Sequence, residues 1–197
     1  KSFTGKPVHM GGTDYDRQGI AGLGVATAAH TLLEFEKIDP RTTTFAVQGL
    51  GAMGAAVVRY FSETGSNFSA ISAPNFGGPS VFDKEIPDGL LQAIIDQDAD
   101  SIRKHLALGS FKKLDQNEIL YLEVDVLFPC AIHNVITKDN VAKIAASFVI
   151  EGANNPITEE ARTILFSHNV KVIPDFIANS GGIIAAFVEL TSKVTPE

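Results

Sequence analysis

The run Gly49-Leu50-Gly51-Ala52-Met53-Gly54 has residue types and spacing suited to holding an anion. In a G-x-G-x-x-G turn the first glycine permits a tight strand-to-helix turn. The second lets the backbone approach a pyrophosphate, and the third lets the helix pack close to the strand. A helix beginning behind the turn offers free N–H groups and the positive end of its dipole. An apolar run (44–48) precedes this turn and a helix-like run (52–64) follows it, so it reads as a nucleotide-binding turn. Further small and amide-bearing residues stand where later strands end: Ser72 and Asn75, then Cys130 to Asn134, then Gly152-Ala153-Asn154-Asn155, then Asp175 and Asn179. Amides and backbone groups hydrogen-bond a carboxamide or a ribose without adding charge. One Asn at a strand end is more often a turn former than a ligand. Several at successive strand ends favour a shared binding crevice.

The elements that must position these groups are readable from pattern. Residues 1–17 carry Gly5, Pro7, Gly11 and Gly12 and read as a leading arm. A helix is predicted within 18–40, stopped by Asp39-Pro40. Gly19, Gly22 and Gly24 in its first turns each cost about 1 kcal/mol relative to Ala. They imply close backbone approach there, either to another element or to a ligand. Strands are predicted at 44–48, 67–72, 123–128, 148–150 and 170–173, and helices at 52–64, 88–96, 98–108, 137–145, 158–168 and 178–190. The strands are continuous apolar runs, as in a parallel sheet covered on both faces. The fold class is therefore α/β: a Rossmann-like, doubly wound, mostly parallel sheet with helices on both faces. No linker divides 1–197, which reads as one dinucleotide-binding domain with its core and final helix in 41–197.

The composition excludes several classes. The 197 residues are 45% hydrophobic and 20% charged, with a net charge of −7. An acidic chain lacks the basic stripe of a nucleic-acid surface and does not suit an anionic membrane. There is no apolar span of about 20 residues for a membrane helix, and no signal-peptide pattern. A single cysteine, Cys130, permits no internal disulfide and points to a cytoplasmic protein. It reads as a buried small apolar residue. The five histidines show no paired metal-ligand spacing, no metal site is predicted, and His133 reads as structural or solvated. An acidic residue about 20 positions past the glycine turn would clamp an adenosine ribose diol. No Asp, Glu, Arg or Lys occurs from Asn67 to Phe82, so NAD and NADP both stay open. Ser72, Asn75 and the backbone of Gly77-Gly78 offer neutral contacts instead.

Several runs resemble the Glu/Leu/Phe/Val amino-acid dehydrogenases, and within them the glutamate dehydrogenases. They are Thr4-Gly5-Lys6-Pro7, Gly11-Gly12-Thr13, Gly22-Leu23-Gly24-Val25, Val47-Gln48-Gly49-Leu50-Gly51, Glu151 to Thr158, and Pro174 to Gly182. The resemblance covers nearly the whole chain and implies oxidative deamination of an amino acid, with hydride passing to the nicotinamide of NAD or NADP. It implies that Gly49, Leu50, Gly51, Ala52, Met53 and Gly54 hold the pyrophosphate, that Ser72 sits near the adenosine ribose, and that Ala131, Asn154 and Asn179 line the nicotinamide side. No catalytic residue is assigned. The family's catalytic Lys and Asp belong to an N-terminal domain not included in this chain, which reads as a piece of a longer protein. An amino-acid substrate is expected only with that domain, and the full-length protein is expected to be a homo-oligomer. Three positions depart from the family: Ala21 and Ala186 stand where a nicotinamide-contacting Thr and a substrate-holding Ser are usual, and Ala73 stands at a usual Asp. These departures support an alternative, a non-catalytic nucleotide-binding or structural module that kept the fold.

Overall fold

A computed structural model describes residues 5–10, 12–72, 76, 78–82, 86–109, 111–115 and 117–191. Its strands are β1 (Thr44–Gln48), β2 (Asn67–Ser72), β3 (Ser80–Val81), β4 (Lys112–Lys113), β5 (Val126–Pro129), β6 (Phe148–Ile150) and β7 (Lys171–Ile173). They form one seven-stranded sheet in the order β4-β3-β2-β1-β5-β6-β7. The five strands from β2 to β7 in that order run parallel. Strands β3 and β4 are an antiparallel extension at one edge. The chain winds from β1 outward to β2, then returns to the other side of β1 for β5, β6 and β7. The order therefore reverses between β1 and β5, and in an open α/β sheet the crevice forms at such a switch point.

The helices are α1 (Tyr15–Gln18), α2 (Ile20–Phe35), α3 (Ala52–Ser62), α4 (Asp88–Ile95), α5 (Ala99–Leu108), α6 (Glu159–Ser167), α7 (Asp175–Ala178) and α8 (Gly181–Thr191). Period-2 alternation within the apolar strands sorts side chains to two cores. Phe45, Val47, Ile71 and Phe128 join residues of α2, α3, α4 and α5 on one face. Ala46, Ala70, Leu127 and Val149 face Ile119, Leu120, Val141, Ala161 and Leu165 on the other. Phe45 anchors the first core, with ring centroids 5.0 Å from Phe61, 4.9 Å from Phe68 and 5.9 Å from Phe128. Such pairs add about 0.5–1.5 kcal/mol beyond area burial.

Several sequence expectations need correction. The leading arm, read as an extended arm or loop, carries a 3-10 turn at Val8–Met10 and the one-turn helix α1. The helix expected within 18–40 starts at Ile20 after a left-handed Gly19 (φ 62°) and ends at Phe35, before left-handed Lys37 (φ 61°). The strand expected at 123–128 is shifted, because Asp125 caps rather than extends it, accepting hydrogen bonds from Thr44 N and Oγ1 at 2.8 and 2.9 Å. Residues 137–145 do not form a helix. Asn140 takes the Thr137 N–H at 2.7 Å and donates to the Val135 carbonyl at 2.8 Å, so its side chain competes with helical bonding and leaves only a 3-10 turn at Val141–Lys143. The final helix is broken at Asn179-Ser180 into α7 and α8. Strands β3 and β4 were not foreseen, since two-residue strands carry no periodic signal. Asn75, Ala73 and Gly77 lie outside the described residues. No described helix is long and apolar enough to cross a membrane.

Candidate functional site

The glycine turn joins β1 to α3 at the reversal point of the sheet, and its three glycines do three different things. Gly49 is left-handed (φ 98°), and a Cβ there would lie 2.9 Å from the Cα of Ala131 at the end of β5. Gly54 is packed still closer, since a Cβ would lie 1.9 Å from the Gly49 carbonyl oxygen. That contact seats the first turn of α3 on the strand end. Around Gly51 there is open space, with no atom within 4 Å of where a Cβ would point. The buried pair fixes the turn, and the exposed one leaves its backbone approachable.

The start of α3 is also chemically unfinished. Helices α5 and α6 are capped by Asp98 and Thr158, whose side chains accept from Ser101 N at 3.2 Å and Ala161 N at 3.4 Å. Helix α3 has Gly51 as its N-cap, no side-chain cap and no acid in its first turn. The N–H groups of a first turn have no intrahelical acceptor. Here they sit beside the open face of Gly51, which suits an anion.

Beside the turn lies a cleft of about 560 Å³, whose walls include Met53, Ala131, Asn154, Asn179, Gly182 and Ile183. Met53, Ala131, Asn154 and Asn179, far apart in sequence, therefore meet in one place. Asn179 Nδ2 donates to Asn154 Oδ1 at 2.9 Å and to the Gly152 carbonyl at 3.2 Å. Leu50 and Ala52 complete the turn itself. Ser72 does not line the cleft. It is buried at the end of β2, in register with Gln48, and its carbonyl accepts from Gly49 N at 2.6 Å. The chosen residues thus form a line: Ser72 on one side of the turn, the turn itself, and the amide-lined cleft on the other.

Two other asparagines serve the backbone instead. Asn134 and Asn155 are left-handed (φ 52° and 47°), and Asn134 N donates to the Asn155 carbonyl at 2.8 Å. A buried network holds the loops that carry Asn154 and Asn179. Glu151 is fully buried, and its Oε2 accepts from Asp175 N at 3.0 Å. Asp175 in turn accepts from Asn155 N at 2.7 Å and Phe176 N at 2.7 Å. Arg162 Nη1 lies 2.6 Å from Glu151 Oε1, a close ion contact. Burial raises the Glu151 carboxyl above its ordinary value, opposed by Arg162. Breaking a buried pair by removing one partner costs about 3–5 kcal/mol.

Cys130 lies under the cleft. Burial pushes its thiol up to about 12, which leaves it a neutral, weakly nucleophilic side chain at neutral pH. Gly152 must be glycine for this packing, because a Cβ would lie 2.5 Å from the Cys130 sulfur. Gly182 and Ile183 were missed as cleft residues. Their only sequence signal was the Gly181-Gly182 pair at the start of a helix. Ala21 lies behind that wall, with its Cβ 3.7 Å from where a Gly182 side chain would begin. Gly19 and Gly22 face α3 rather than a ligand, with Ala56 Cβ 2.7 and 2.4 Å from their would-be Cβ atoms. Gly24 faces the Ala178 carbonyl at 3.1 Å.

Known proteins share the sequence and the fold of this chain. The chain is 36% identical over 189 residues to the NAD-specific glutamate dehydrogenase A of Halobacterium salinarum, covering 94% of this chain and 41% of that one. It is 36% identical over 188 residues to the NADP(+)-dependent glutamate dehydrogenase of Pyrobaculum calidifontis, covering 95% and 44%. The chain thus spans less than half the length of these relatives. Among solved structures, the hetero-hexameric glutamate dehydrogenase of Thermus thermophilus in its Leu-bound form superposes with a TM-score of 0.76 at 28% identity, over 95% of this chain and 42% of that one. The Plasmodium falciparum glutamate dehydrogenase shares the fold with a TM-score of 0.81 at 24% identity, over 95% and 41%. Residues 11–196 match the family described as Glutamate/Leucine/Phenylalanine/Valine dehydrogenase, and the chain belongs to that family.

Proposed function

We propose that residues 1–197 are the dinucleotide-binding domain of an NAD- or NADP-dependent amino-acid dehydrogenase acting on glutamate. The uncapped start of α3 beside the open face of Gly51 carries this reading. Its first-turn N–H groups have neither an intrahelical acceptor nor a side-chain cap, and the backbone beside them is open to an anion. In this reading Gly49, Leu50, Gly51, Ala52, Met53 and Gly54 hold the pyrophosphate, with the backbone N–H groups of the first helical turn donating to it. Ser72 meets the adenosine ribose. Ala131, Asn154 and Asn179 border the nicotinamide, where the Asn154–Asn179 pair supplies both a donor and an acceptor for a carboxamide. The nicotinamide, when bound, supplies the hydride acceptor or donor. The protein's part here is to orient it and shield one face from water.

The substrate-binding and proton-transferring groups belong to the remainder of the protein in this reading, so the 197-residue chain binds dinucleotide but does not deaminate an amino acid. The whole protein is proposed to be a homo-oligomeric cytoplasmic enzyme converting glutamate to 2-oxoglutarate and ammonia. One relative is NAD-specific and another NADP(+)-dependent, which supports a nicotinamide dinucleotide without choosing between them. A second reading, a non-catalytic nucleotide-binding module, is favoured by Ala21 behind the cleft wall and by Ala186 in α8. Calorimetric titration of the chain with NAD+ and NADP+ tests the binding claim, and a lack of binding by either at millimolar concentration overturns it. Steady-state cofactor reduction by the full-length protein with glutamate separates the two readings.

A further inference from the structure

Glu189 lies in the last turns of α8, in a helix otherwise rich in exposed apolar side chains such as Ile183, Ile184, Phe187 and Val188. Its own side chain is 5% exposed. The leading arm encloses it: Lys6 N donates to Oε1 at 3.1 Å, and Thr13 N and Tyr15 Oη donate to Oε2 at 3.4 and 2.5 Å. Lys6 Nζ adds a bond to the Glu189 carbonyl at 3.5 Å. These contacts join residues 174 to 183 positions apart, and three of them are made by one carboxylate. Charge-assisted hydrogen bonds are about twice as strong as neutral ones.

The opposite end of α8 is held by the segment that follows the arm. Tyr15 opens α1, which passes through left-handed Gly19 into α2. The first residues of α2 then pack on the first residues of α8. A Cβ on Gly181 would lie 2.9 Å from the Ile20 carbonyl oxygen, and one on Gly182 would lie 3.7 Å from the Ala21 Cβ. Gly182 and Ile183 are wall residues of the cleft. The arm, α1, α2 and α8 therefore close a ring, and Glu189 is its clasp.

We infer that Glu189 is a positioning residue: its carboxylate latches the arm to α8 and thereby sets the wall of the cleft at Gly182-Ile183. It touches no ligand itself. Its influence falls on whatever occupies the cleft and not on the Ser72 side of the glycine turn. The inference rests on the proposed binding of a dinucleotide for its functional consequence, but the latch itself does not.

The experiment compares the wild-type chain with Glu189→Gln and Tyr15→Phe. Amide hydrogen exchange is followed over residues 5–19, and dissociation constants are measured for NAD+, NADP+ and AMP. Glu189→Gln keeps shape and volume but places an amide N–H against donors on the arm. Exchange in the arm should accelerate. The better-bound dinucleotide should weaken about tenfold, while AMP, which fills only the adenosine side, should move less than about twofold. Tyr15→Phe keeps the carboxylate and should shift both readouts in the same direction by a smaller factor, and it decides the matter if Glu189→Gln folds poorly. Unchanged exchange in the arm overturns the latch. Equal weakening of dinucleotide and AMP overturns the positioning role, since a general loss of structure would do that. If the wild type binds no dinucleotide, the proposed function fails while the exchange comparison still decides the latch.

Discussion

Two glycine clusters in this chain have almost the same composition and opposite uses. In Gly49-x-Gly51-x-x-Gly54 two glycines fix a turn and the third faces open space. In Gly19-x-x-Gly22-x-Gly24 every glycine faces protein: Ala56 of α3 for the first two and the Ala178 carbonyl of α7 for the third. The first cluster sits where an apolar strand becomes a helix, so its missing side chains expose backbone N–H groups. The second sits at the start of a helix lying across α3, so its missing side chains bring two helices together. A glycine pattern alone therefore does not mark a ligand site. The element before it and the space around it do.

That contrast breaks down if substitutions in the two clusters have the same consequences. The largest effect is expected for Gly54→Ala, whose Cβ would meet the Gly49 carbonyl oxygen at 1.9 Å. Backbone must move, and the loss should reach or exceed the upper end of the roughly 1–3 kcal/mol typical of overpacking, read from the urea midpoint. Next comes Gly22→Ala, where the main obstacle is the Ala56 Cβ at 2.4 Å, with Met53 O and Val57 N each at 2.9 Å. A loss of about 1–3 kcal/mol is expected. Adding Ala56→Gly should recover part of it, seen as non-additivity in a double-mutant cycle. Additive losses would mean that the two helices do not meet there.

Gly51→Ala sharpens the comparison from the other side. Gly51 has an extended backbone (φ −77°, ψ −172°) that any residue adopts, with nothing within 4 Å of a new Cβ. Stability should change by no more than about 0.5 kcal/mol, as for an ordinary surface substitution. Dinucleotide affinity should fall about tenfold by titration, because the methyl group would stand where the pyrophosphate is proposed to approach. Unchanged affinity would remove the distinction between the clusters.

The smallest effect concerns the arm that leads into the second cluster. The Tyr15 hydroxyl, then the Lys6 and Thr13 amides, hold the Glu189 carboxyl below the ordinary carboxylate range. A carboxyl depressed in the folded state contributes stability that is complete above its unfolded pKa. That stability is lost as pH falls through the depressed folded value. Acid titration followed by arm exchange should therefore show loosening below the ordinary carboxylate range. Glu189→Gln should flatten that part of the profile.

Much of the fold was legible because its signals are local. The ranges 44–48, 67–72 and 148–150 are strands as expected, and α6 (Glu159–Ser167) lies within the helix expected at 158–168. Two of the failures share one physical cause. At 137–145 the residues can form a helix, but the Asn140 side chain bonds back to Thr137 and Val135, and a bridge from Ile136 to Ile157 holds the chain near the sheet. The break at Asn179 arises because its side chain turns toward Asn154 and the Gly152 carbonyl. Local propensity has no access to such partners.

By itself the sequence determined the strand–turn–helix unit, the alternation of strands and helices, and the residues that stand at strand ends. These follow from backbone sterics, side-chain periodicity and capping, all of which act over a few residues. Only the tertiary structure decided which of those strand ends meet. It brought Met53, Ala131, Asn154 and Asn179 into one cleft while leaving Ser72 on the other side of the turn. It turned Asn134 and Asn155 into backbone formers, Gly22 into a helix contact, and Glu189 into the clasp of the arm. Each of these outcomes depends on a partner brought close only by sheet order and helix packing, and no spacing along the chain encodes that proximity.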